Sequence, residues 1–89
     1  MAAKTIHQYQ LRMQAGAQPL DVPLGATVVH VASLGGVIGL WAAGDPDAIT
    51  QGRTFRIYGN DEEIADGDEY LGSTQGQGRS FHVFVEPVA

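Results

Sequence analysis

Two apolar runs held apart by a Gly-Gly pair constrain this chain more than any other feature. Val28 to Ala32 and Val37 to Ala43 flank Gly35-Gly36, and adjacent glycines take the positive backbone angles that a tight hairpin demands. A third run, Arg53 to Gly59, alternates Phe55 and Ile57 with Thr54, Arg56 and Tyr58, the period-two pattern of a strand buried on one face. The densest apolar material thus lies between Ala26 and Gly59, and it predicts a three-stranded antiparallel centre there, covered by the remaining segments.

Those segments also read as strands and turns. Thr5 to Leu11, with Ile6 and Tyr9 as its apolar members, predicts a first strand at a sheet edge. Pro19 to Pro23 is bracketed by residues that cannot donate to a ladder, which makes it a short edge strand. Leu24-Gly25 turns into the hairpin, and Gly44-Asp45-Pro46-Asp47 has the chemistry of a turn. Asp45 and Asp47 as ligands of a divalent cation would lack a third carboxylate at suitable local spacing. Asp47 to Gln51 offers a short helical turn as an alternative. Asn60 to Glu69 carries six of the ten acidic residues around Ile64 and reads as a solvated loop; its acidic order does not match a calcium loop. Tyr70 to Gln75 is a strand weakened by Gly72, and Gly76 to Ser80 turns into the last strand, Phe81 to Val85. There Phe81, Val83 and Val85 face one way while His82 and Phe84 face the other. An aromatic on both faces predicts a second sheet, barrel closure or a subunit contact.

Turn signals recurring every ~8–12 residues predict an all-β fold, a small antiparallel β-sandwich or barrel of six or seven strands. The 12 glycines and 4 prolines fall between the apolar runs, as such a fold needs. No repeat or linker divides the 89 residues, so one domain is expected.

Composition excludes several kinds of chemistry. Without cysteine there is no disulfide, thiolate metal site or cysteine nucleophile. The N-terminus lacks the apolar region of a signal peptide, and no run approaches the ~20 apolar residues that span a bilayer. A cytoplasmic protein with no membrane association is expected. The net charge of −5 repels phosphate backbones and disfavours non-specific DNA binding.

Candidate sites are few. His7, His30 and His82 lie on predicted strands and would form a zinc cluster only if those strands converged, because no local ligand motif joins them. Ser33, Ser73 and Ser80 sit in no nucleophile-elbow context. Glycines beside Arg79 make either a plain hairpin or a nest of amides for an anion. Arg56 and Tyr58 project from the same face of the third run, a guanidinium and an aromatic suited to a phosphorylated or planar ligand. The competing reading pairs Arg56 with the acidic loop. Arg53, Arg56, Tyr58 and Arg79 form the candidate ligand-binding set. Trp41 reads as a core residue whose indole NH needs a partner.

Four segments carry a resemblance: Leu40 to Pro46, Arg53 to Gly59, Glu69 to Gln75 and Phe81 to Glu86. They resemble the W-A-x-x-D-P, R-x-F-R-I-Y-G, E-Y-x-G-T and F-H-V-F-E pattern of an uncharacterised family of very short phage, prophage and bacterial proteins, with Ser73-Thr74 standing in place of a simple G-T. The resemblance spans Lys4 to Glu86 and implies a phage or prophage origin, with no catalytic residues to transfer. The expected function is a non-enzymatic, cofactor-independent binding module of anti-defence type, acting in the host cell. It would sequester a nucleotide-like signal or mask a host protein. The alternative is a structural or assembly accessory, since exposed sheet edges favour a homo-oligomer.

Overall fold

Gly35 and Gly36 turn the chain with φ of +55° and +100°, and the apolar runs beside them pair as neighbouring antiparallel strands. The computed structural model describes residues 3–88. Seven strands follow in order: β1 (Thr5–Arg12), β2 (Gly16–Pro23), β3 (Thr27–Ser33), β4 (Val37–Gly44), β5 (Thr50–Tyr58), β6 (Glu69–Gly76) and β7 (Arg79–Val85). They form a smaller sheet of order β1-β4-β3 and a larger sheet of order β2-β5-β7-β6. The fold is therefore an all-β antiparallel sandwich. No helix among the described residues is long and apolar enough to cross a membrane.

The third apolar run does not extend the hairpin, which corrects the expected three-stranded centre. β5 pairs with β2 and β7 in the larger sheet, and β1 takes the place beside β4. Alternation fixes which side chains of a strand are buried, not which strand lies next to it. The turn at Gly44 to Asp47 carries the chain from one sheet to the other. Leu11, Ile38 and Leu40 of the smaller sheet then share one core with Phe55, Ile57 and Val83 of the larger, all fully buried. The short axis of 16 Å fits two sheets packed ~10 Å apart.

Polar contacts join the sheets along both sides. Buried Gln18 accepts from the Arg12 amide at 2.7 Å and donates to the Arg12 carbonyl at 2.9 Å, acting as a strand neighbour where β1 turns into β2. The Ser33 hydroxyl meets that of Thr74 at 2.7 Å and donates to the Gln75 carbonyl, so β3 abuts β6. Gly72 permits this approach, because a Cβ there would lie 3.1 Å from Val31.

The predicted turns form. Asp47 donates its amide to the Asp45 carboxylate at 2.9 Å, and Ala48 donates to the Asp45 carbonyl at 3.1 Å. The helical alternative over Asp47 to Gln51 does not form, since β5 already begins at Thr50. Gln77 and Gly78, at φ 52° and 72°, make the last hairpin turn. β2 is an edge strand as expected, but extends N-terminally to Gly16.

One connection positions the candidate site. β5 and β6 are both antiparallel to β7, which lies between them, so they run parallel to each other. Tyr58, at the end of β5, is level with His82, whereas Glu69, at the start of β6, is level with Val85. Residues 59–68 must therefore return across the outer face of β7. They pass over Phe84.

Candidate functional site

The outer face of the larger sheet is built by alternation. Arg56 and Tyr58 on β5, His82 and Phe84 on β7, and Tyr70 and Ser73 on β6 point away from the core in adjoining register positions. A bulge between Tyr70 and Gly72 turns Leu71 inward and keeps Tyr70 outside opposite Phe84. Phe84 is buried although it faces outward. Tyr58 and Tyr70 cover it, each with its ring centroid 5.3 Å away and at interplanar angles of 86° and 61°. This accounts for the aromatic predicted on both faces of the last strand.

The loop roof is tied down by named bonds. Asp68, whose side chain is 1% exposed, accepts from Arg56 at 3.3 Å and from the Tyr58 hydroxyl at 2.9 Å. Tyr58 in turn accepts from the Ala65 amide at 3.1 Å. Glu62 accepts from the Gly59 amide at 2.7 Å and closes the first turn of the loop. Arg56 also reaches the Glu86 carboxylate at 2.7 Å. Desolvation acts to lower the Arg56 pKa, but Asp68 and Glu86 outweigh it, and the guanidinium sits above its ordinary value.

A second chain of hydrogen bonds fixes His82. Asn60 Oδ1 lies 2.8 Å from His82 Nε2, Ser73 Oγ lies 2.7 Å from Nδ1, and the Tyr70 hydroxyl lies 2.7 Å from Ser73 Oγ. Since an amide oxygen only accepts, Nε2 carries the proton and Nδ1 accepts from Ser73 when the ring is neutral. The chain holds imidazole and phenol in place as walls of a cleft of about 290 Å³ between loop and sheet. Tyr58, Tyr70, Phe84 and His82 line it from the sheet, and Asp61 and Glu62 from the loop.

The sequence-predicted residues are only partly brought together. Arg56 and Tyr58 share Asp68, so Arg56 does pair with the acidic loop. Arg53 lies on the inner face of β5, in line with Phe55, and donates to the Glu86 carbonyl at 3.3 Å. Its Nε is buried without a partner among the described residues. Arg79 stands apart, exposed beside the last hairpin turn in a separate depression of about 750 Å³. His7 and His30 belong to the smaller sheet, where His30 packs 5.1 Å from Trp41, so the histidines do not converge. Among the described residues no group of three or more His, Asp or Glu is arranged to hold a metal.

Sequence reasoning missed Ser73, Asn60 and the Tyr70–Phe84 contact. One signal was present: a two-residue turn at Gln77-Gly78 places Gly76 opposite Arg79, and counting back places Ser73 opposite His82. The family described as Domain of unknown function (DUF7352) matches residues 2–89. No curated protein and no solved structure matches the chain.

Proposed function

This chain belongs to the DUF7352 family, and we propose that it is a non-enzymatic binding module whose recognition site is the cleft between the 59–68 loop and the larger sheet. One observation carries the reading. The cleft of about 290 Å³ has aromatic walls already oriented by packing and by the His82 hydrogen-bond chain. Pre-oriented walls bind without the entropic loss of ordering them. The motif resemblance supports a phage or prophage origin, and in that setting the module acts in the bacterial cytoplasm by masking a host protein.

Charge favours a protein partner over a nucleotide-like signal. Arg56 is engaged by Asp68 and Glu86, Arg53 faces inward, and Arg79 is in another depression. Six acidic residues lie between Asn60 and Glu69 and repel phosphate.

A second reading, assembly into a homo-oligomer, is favoured by the outer face of the smaller sheet. Ile6, 63% exposed, lies there beside Ala43 and near Trp41, with no described element over them. Site-specific photo-crosslinking in a bacterial host separates the two. A photoreactive residue at Tyr70 is expected to capture one recurrent host protein, while the same residue at Gln8, on the other outer face, captures none. Cross-links from Gln8 to a second copy, with none from Tyr70, would sink the cleft reading and leave assembly.

A further inference from the structure

We infer that the cleft takes a lysine side chain of its protein partner, with the ammonium group held against the aromatic walls and between the carboxylates at the rim. The inference rests on the cleft being the recognition site and adds the chemistry that would be recognised.

Aromatic geometry is the first support. The Tyr58 and Phe84 rings stand at 86°, those of Tyr70 and Phe84 at 61°, with both centroid separations 5.3 Å. Tyr70, 57% exposed, is the open ring of this packed group and lines the cleft beside Tyr58 and Phe84, and an electron-rich ring face attracts a cation. A compact ammonium group on a flexible stem suits such a corner, whereas a flat guanidinium stacks best on a single face. Apolar material for the lysine methylenes is present in Ile64, half exposed at the mouth.

Charge is the second, independent support. No lysine or arginine lines the cleft among the described residues. Asp61 and Glu62 do, and no hydrogen bond to the Asp61 carboxylate is present among the described residues, while Glu62 uses one oxygen on the Gly59 amide. Asp68, engaged by Arg56 and Tyr58, does not line the cleft. The cleft is therefore lined by carboxylates with no cation among its described lining residues, beside aromatic rings. A phosphorylated ligand is disfavoured there, and a neutral apolar one gains nothing from the rim.

The probes are capped lysine (acetyl-lysine-methylamide), capped norleucine as its neutral counterpart, capped arginine and AMP, titrated into the intact protein with NMR detection of ring signals. Capped lysine is expected to shift Tyr58, Tyr70 and Phe84 saturably in the millimolar range, with norleucine about fivefold weaker or less and AMP without effect. Tyr70→Ala, at a ring 57% exposed, should weaken lysine binding about fivefold while the core methyl signals of Leu40 and Val83 stay native. Asp61→Asn with Glu62→Gln should weaken it by a similar factor, and added salt should lose its effect in that variant. Asparagine tolerates the φ of 67° that Asp61 adopts, so the loop is kept.

Equal binding of norleucine, tighter binding of capped arginine, or shifts produced by AMP would overturn the lysine assignment and leave the cleft as a recognition site. If no probe moves the ring signals while the core methyls of Leu40 and Val83 remain native, the cleft reading and the lysine assignment both fall.

Discussion

Outward from β4 the smaller sheet presents Val37, Gly39, Trp41 and Ala43, whereas outward from β7 the larger sheet presents Ser80, His82 and Phe84 beneath a loop. Both rows arise from the same alternation, yet they are finished differently. On the smaller sheet, side chains fold down onto their own backbone. A Cβ at Gly39 would lie 2.6 Å from Leu34 and 2.8 Å from Trp41, which shows both side chains lying across that glycine. On the larger sheet, Tyr58 ties a separate segment down over the strands through Asp68 and Ala65. The first solution leaves an open surface and the second a walled space. The proposed recognition site lies on the face that is roofed, not on the one left open.

Replacing the aromatics under the two coverings should break the comparison most sharply if it is wrong. Phe84→Ala is expected to cost about 3 kcal/mol in urea unfolding, close to a core substitution. An unchanged midpoint would mean that the roof does not bury the ring in any energetic sense. Asp68→Asn comes next, at about 1–3 kcal/mol, because it leaves a part-buried tyrosine hydroxyl and a guanidinium short of a charged acceptor. Hydrogen exchange at the Ala65 amide should accelerate in that variant, and protection equal to the parent would show the roof to be held by something else. Trp41→Ala should cost about 1–2 kcal/mol, reflecting a half-buried ring on an open face. A loss as large as that of Phe84→Ala would show that the two faces are equally covered. Smallest of all, Ile6→Thr should stay within about 0.5 kcal/mol. Its readout is sedimentation: if Ile6 helps to join copies of the chain, any concentration dependence of the parent should diminish.

Much of the fold was legible because it depends on local rules. The Gly35-Gly36 and Gln77-Gly78 turns need positive φ, and the strands between them alternate visibly. The sheet to which β5 belongs was not legible, since Phe55 and Ile57 bury the same face whether β4 or β7 lies alongside. The candidate site shows the same limit. Arg56 and Tyr58 were correctly placed on one surface by their spacing, and a salt bridge from Arg56 to the acidic loop was one of two readings. Which of the loop's six acids it would choose depended on the path of residues 59–68 over β7, which no local pattern encodes. Arg53 was grouped with Arg56 as a cation of the same strand, but three residues apart on a strand means opposite faces.

The strand made last in sequence, β7, occupies an interior place in the larger sheet, between β5 and β6. Until it arrives, those two strands have no hydrogen-bonding partner on the sides they turn toward it, and the roof has nothing to cover. The β6–β7 ladder closes through the adjacent Gln77-Gly78 turn, whereas the β5–β7 ladder joins segments separated by residues 59–68 and all of β6, so closing the sheet and the cleft above it waits on β7. A ribosome-bound chain that stops short of Arg79 would present two open strand edges. The larger sheet and the cleft above it therefore come into being together, when β7 docks between β5 and β6.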